Sequence, residues 1–122
     1  MPESTGPTEQ LADYQRRYRE LAGQLAEVGF IVTGTVLQRS TRCGTPGCRC
    51  HADPPQPHGP YWQWTSKVAG KTVTRRLTER QAALFTEWTA NNTQIRQLIT
   101  QMREISDRAT ELILAADTRA VD

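Results

Sequence analysis

From Thr78 to Asp117 the chain holds no glycine or proline, and Leu84, Trp88, Asn91, Ile95, Leu98, Met102, Ile105, Ala109, Leu112 and Ala116 recur at spacings of four, three, four, three. That is the apolar seam of a single long helix of coiled-coil type. At 1.5 Å per residue such a helix reaches roughly 60 Å, further than a small sheet can cover. Part of the seam must therefore meet another helix of the same chain. The rest is expected to meet a second copy, in a homodimer with Trp88, Ile95, Leu98, Met102, Ile105 and Leu112 on its seam. Asn91, a polar residue on that seam, is expected to fix register.

Every other element must fit around this helix. Thr8 and Glu9 open a first helix, in which Leu11, Tyr14, Tyr18, Leu21, Leu25 and Val28 again alternate by threes and fours until Gly29. The β-branched run from Phe30 to Gln38 predicts a strand, with Gly34 a candidate bulge. Tyr61–Lys67 and Lys71–Leu77 alternate around Ala69-Gly70, a hairpin signal. The fold class predicted is α+β. Residues 1–7 are expected to be disordered, 8–29 an N-terminal helix, 30–77 a zinc-binding β module with a three-stranded antiparallel sheet, 78–117 the C-terminal coiled-coil helix and 118–122 a tail. With 122 residues and only 7% aromatic content, one large core is excluded, so a metal staple and shared helix seams must contribute stability.

The net charge of +2 conceals a segregation. Residues 31–80 carry eight Lys or Arg against two acids, whereas the segments before and after each carry a net −2. A local excess of this size attracts polyanions. No apolar stretch approaches the ~20 residues needed to span a bilayer, and no leader pattern opens the sequence, so no membrane association and a cytoplasmic location are expected.

All three cysteines fall within eight residues, in Cys43-Gly-Thr-Pro-Gly-Cys48-Arg-Cys50-His51, and His58 follows a proline-rich run. Cys43, Cys48, Cys50 and His58 supply the three thiolates and one imidazole that tetrahedral zinc accepts. Gly44 and Gly47 let the backbone between the first two sulfurs turn back, and the stiff Pro54-Pro55-Gln56-Pro57 run returns His58 to the metal. His51 is the alternative fourth ligand, although its side chain points away from that of its neighbour Cys50. With four protein ligands the zinc is structural, and no catalytic residues are expected. A zinc or thiol enzyme would need an open metal position, with Asp53 the only carboxylate nearby in sequence.

The run Gly34-Thr35-Val36 to Arg42-Cys43-Gly44, then Pro46-Gly47-Cys48-Arg49-Cys50, His58-Gly59-Pro60-Tyr61-Trp62 and Gly70-Lys71-Thr72-Val73-Thr74-Arg75 resembles a family of small uncharacterised bacterial and archaeal proteins, a domain of unknown function. These proteins share a Cys-Gly-x3-Cys-x-Cys cluster, a His-Gly-Pro-Tyr element and a Gly-Lys-Thr hairpin before a long helix, over roughly residues 30–115 here. Ala69 stands where that turn often has glycine, and Arg76 where the family commonly has an aromatic residue. The resemblance implies the fold and the ligand set Cys43, Cys48, Cys50 and His58. A frequent setting near recombinase or transposase genes implies DNA as the partner.

Arg39, Arg42 and Arg49 border the metal loop, while Lys67, Lys71, Arg75 and Arg76 lie on or beside the hairpin. Together they are the candidate nucleic-acid-binding residues, expected to contact phosphates from one wet, basic side of the hairpin. Tyr61 is expected in the core, as is one of Trp62 and Trp64. The expected function is a dimeric, zinc-containing DNA-binding accessory or regulatory protein. The alternative is an adaptor whose helices dock a recombinase or transposase while the zinc module is only structural.

Overall fold

A computed structural model describes residues 6–121. The elements in chain order are helix α1 (Pro7–Ala26), strand β1 (Thr35–Thr41), a short 3-10 turn (Arg49–His51), strands β2 (His58–Val68) and β3 (Lys71–Leu77), and helix α2 (Glu79–Val121). This is the α+β arrangement expected from the sequence. The strands form one antiparallel sheet in the order β1-β2-β3. Two compact units are present. Among the described residues a sheet unit spans Phe30–Asn92, and a helical unit comprises 6–29 and 93–121. Of residues 1–7, expected to be disordered, 1–5 lie outside the described residues, whereas Gly6 is the N-cap of α1 and Pro7 its first residue.

Several boundaries differ from the sequence reading. Helix α1 ends at Ala26, where the Glu27 and Val28 N–H groups donate to Gln24 and Leu25 carbonyls in tight terminal turns, so Gly29 lies beyond its cap. Helix α2 continues to Val121 through the segment read as a tail, which contains no breaker. Strand β1 starts at Thr35 rather than Phe30. Residues 30–33 instead give their hydrogen bonds to other partners: the Val32 N–H donates to the Trp88 carbonyl (3.1 Å), and the Phe30 and Thr33 carbonyls accept from Asn91 Nδ2 (2.9 Å) and Trp64 Nε1 (3.0 Å). Asn91 thus acts within its own chain, fastening the segment before β1 to α2. The sheet irregularity falls between Arg39 and Thr41, not at Gly34. Gly34 has another constraint: at φ +110° a Cβ there would meet the Thr65 carbonyl oxygen at 2.5 Å and Trp64 Nε1 at 2.7 Å.

The β2–β3 hairpin turns at Ala69 (φ 51°) and Gly70 (φ 81°). Positive φ at both central residues is the turn whose twist matches the flanking strands. Its register pairs Trp64 with Arg75 and Ser66 with Val73. Residues paired across antiparallel strands share a face, so Val36, Trp62, Trp64, Ser66, Val73 and Leu77 lie on one side. That side meets the start of α2. Trp64 sits edge-on to Phe85 (5.1 Å between ring centres), Phe85 stacks on Trp88 (5.4 Å), and Trp88 meets Phe30 edge-on (5.1 Å). Ala82 is buried beside this aromatic cluster in sequence, and Ser66 is buried on the sheet. Trp88 is therefore engaged within its own chain.

The start of α2 is fixed by a reciprocal cap. The Gln81 N–H donates to Thr78 Oγ1 (3.1 Å), and the Thr78 N–H donates to Gln81 Oε1 (2.9 Å). Two otherwise unpaired helix N–H groups are satisfied by the Thr-x-x-Gln spacing. In the helical unit, Leu98 and Ile105 are buried, while Ile95, Met102, Ala109 and Leu112 are half-buried. Tyr14 and Tyr18 of α1 bound a groove of about 390 Å³ with Ile105 and Ala109 of α2. No helix among the described residues is long and apolar enough to cross a membrane.

Candidate metal centre

The strands bring the outer ligands together before the loop contributes anything. Thr41, the last residue of β1, pairs with His58, the first of β2, and Cys43 follows Thr41 by two residues. Between these anchors the loop folds on its own hydrogen bonds. The Cys48 N–H donates to the Thr45 carbonyl (3.1 Å), closing a turn through Pro46-Gly47. The His51 N–H reaches the Cys48 carbonyl (3.0 Å), and the Ala52 and Gln56 N–H groups both donate to the Arg49 carbonyl (3.0 and 3.1 Å). This tight winding drives Cys50 inward until it is completely buried.

Cys43, Cys48, Cys50 and His58 converge, with all four ligand atoms within 4.8 Å of one another. Cys43 Sγ lies 3.5 Å from Cys50 Sγ, and Cys48 Sγ lies 3.2 Å from His58 Nε2. A tetrahedron with metal–sulfur bonds of ~2.3 Å has edges of about 3.8 Å, so these spacings suit one tetrahedral ion. His51 faces elsewhere: its Nε2 donates to the Cys43 carbonyl oxygen (2.5 Å). The choice between the two histidines thus falls to His58, because the 3-10 turn directs the side chain after Cys50 out of the cluster.

The thiols at the cluster are pushed in opposite directions. Cys43 is lowered from 9.0 to about 6, first by a hydrogen bond from the Thr45 backbone and then by His58, Cys50 and Cys48. Cys50 is pushed up, chiefly because burial disfavours its anion and further because the other two sulfurs stand close, although the Cys43 N–H (3.3 Å from its Sγ) opposes this. One site therefore favours thiolate while its buried neighbour resists a second negative charge. A bound metal cation resolves that conflict by stabilising every thiolate at once. The four residues are positioned to hold a metal ion.

The seven candidate basic residues are all exposed, but they do not form one face. Arg42 and Arg49 lie on the metal loop. Arg75 shares its side of the sheet with Trp64, and Lys71 shares its side with Val73, at the margin of the face that meets α2. Arg39, Lys67 and Arg76 share the opposite, open face. The single basic side expected for the hairpin is therefore divided by strand alternation. Tyr61, expected in the core, is on the open face, where the Arg76 guanidinium lies 3.7 Å above its ring centre. This pairing was accessible in principle: a two-residue turn at 69–70 sets Tyr61 diagonal to Arg76, within reach of long side chains. Trp62 and Trp64 are both half-buried.

A strand-anchored loop on which three cysteines and a histidine converge makes this a small α+β protein with a cluster positioned to hold a metal ion. Its residues 11–85, more than half its length, match the family described as a domain of unknown function, DUF6788, and the chain belongs to that family. No curated protein and no solved structure matches it.

Proposed function

We propose that this protein binds DNA as an accessory or regulatory factor, with a structural zinc ion and without catalytic activity of its own. The observation that carries this reading is the distribution of charge between the two units. The sheet unit has eight Lys or Arg and three acids; the remainder has seven and ten. A basic module attached to an acidic one concentrates its attraction for phosphate on one part of the chain. Four protein ligands leave zinc no open position for substrate, so the ion's role is to hold the loop and the end of the sheet.

The helical unit supports the second part of the proposal, a homodimer. Helix α1 has no fully buried residue despite its apolar stripe, and its Tyr14 and Tyr18 border a groove with Ile105 and Ala109. A second copy would cover these seams and bring two basic modules into one assembly. The same half-buried seams favour the competing reading of an adaptor that docks a recombinase or transposase.

The test is binding of the zinc-loaded protein to duplex DNA across a salt series. With four phosphate contacts, log K should fall against log salt with a slope of roughly −3.6, a loss of about a hundredfold between 50 and 200 mM. Undetectable binding at low salt, or binding indifferent to salt, would reject the DNA reading.

A further inference from the structure

We infer that the open face of the sheet is the surface that meets DNA, and that it enters the major groove with Arg76 and Gln63 at the base edges. This rests on the DNA-binding reading above and assigns it a surface. The opposite face is committed to the protein's interior through Trp64, Phe85 and Ser66. Among the described residues the open face has no such cover, and Arg39, Lys67 and Arg76 on it are exposed. Its cross-strand rows are Arg39 beside Tyr61, Leu37 beside Gln63 and Arg76, and Thr35 beside Thr65 and Thr74, with Lys67 nearer the hairpin turn. It carries three cations and no acid.

Shape selects the groove. Three strands span two gaps of ~4.8 Å, a backbone width of roughly 10 Å. This suits the ~12 Å major groove and is too wide for the ~6 Å minor groove. Threonines line the middle of the face, and Thr65 Oγ1 and Thr74 Oγ1 are 3.2 Å apart in a mutual hydrogen bond. Short, fixed side chains there let the sheet approach closely.

The chemistry on the face matches base edges. Arg76 is held over Tyr61, which limits its freedom, and its fork of N–H donors is the group that pairs with guanine O6 and N7. Gln63, paired with Arg76, has the amide that recognises adenine N6 and N7. Leu37 on the same row is 50% exposed, and thymine methyl groups offer an apolar partner for it. Arg39 and Lys67 mark the two ends of the face, separated along β2 by roughly 20 Å at ~3.3 Å per residue. With the strands lying along the groove this spacing runs along its length, and Arg39, on the edge strand β1, lies nearest the phosphates of its wall.

The experiment uses the full, zinc-loaded chain and mixed-sequence duplex DNA. Arg39→Ala and Arg76→Ala are each expected to weaken binding about tenfold or more, whereas Lys71→Ala and Arg75→Ala, on the other face, should change it less than threefold. Arg76→Lys keeps the charge and should retain binding while losing discrimination between guanine-containing duplexes and the same duplexes with 7-deazaguanine. A minor-groove ligand such as distamycin should not displace the protein. Metal content and circular dichroism verify that each variant is folded. Greater loss from Lys71 and Arg75 than from Arg39 and Arg76, displacement by distamycin, or tighter binding to single strands would overturn the assignment while leaving nucleic-acid binding intact. Absence of binding by the unaltered protein would instead reject the reading on which it rests.

Discussion

Two histidines lie within eight residues of the cysteine cluster, and exchanging each for alanine should separate their roles. His51 contributes one hydrogen bond, from Nε2 to the Cys43 carbonyl, and is exposed. Such a bond contributes about 0.5–1.5 kcal/mol, so His51→Ala should lower metal affinity by no more than roughly tenfold. His58 instead supplies one of four converging ligand atoms, 3.2 Å from Cys48 Sγ. Structural zinc sites stabilise by about 10–16 kcal/mol, and an even quarter of that is roughly 2.5–4 kcal/mol, or some two to three powers of ten in affinity. The assay is competition for zinc against a chromophoric chelator, with circular dichroism recorded at each metal level. His58→Ala should lose metal at chelator concentrations that leave His51→Ala loaded. Equal affinities, or greater loss from His51→Ala, would refute the ligand assignment and the geometry behind it.

Metal affinity should fall with acidification and do so more steeply below pH 6. Cys50, whose thiol is pushed up, releases a proton to the solvent when metal binds at neutral pH, whereas Cys43, lowered to about 6, is already largely thiolate there. As the pH falls through 6, Cys43 must also lose a proton on binding, so the slope of log K against pH should rise by about one, measurable by chelator competition at several pH values. Gly34→Ala should destabilise the sheet unit by about 2–4 kcal/mol, combining the positive φ with disturbance of the Trp64–Thr33 hydrogen bond. Urea denaturation followed by tryptophan fluorescence would detect it, and a change below about 0.5 kcal/mol, the scatter of neutral surface substitutions, would contradict the close approach at Thr65.

What could be read from the sequence was local. The unbroken heptad spacing after Thr78 specified a long helix, Ala69-Gly70 between alternating segments specified a hairpin, and three cysteines among glycines with His58 behind a proline run specified a ligand set. Each signal depends on backbone preferences or on spacings of a few residues. Helix α1 illustrates the limit, because its stripe and the Gly29 signal were plain while its end at Ala26 depended on which terminal carbonyls were reused.

Tertiary structure decided the remainder. Residues 30–33 have the composition of a strand, but their hydrogen bonds go to Trp88, Asn91 and Trp64, partners up to 61 positions away. The turn at Cys48–Ala52 sent His51 to a carbonyl and left His58 to complete the cluster. Strand register separated Arg39, Lys67 and Arg76 from Lys71 and Arg75, although all carry the same charge. Which elements form and which residues can ligate a metal follow from local conformational preference and donor chemistry, both legible along the chain. Which side chains share a face or a site was settled only by long-range pairing, since that depends on contacts between residues with no regular spacing along the chain.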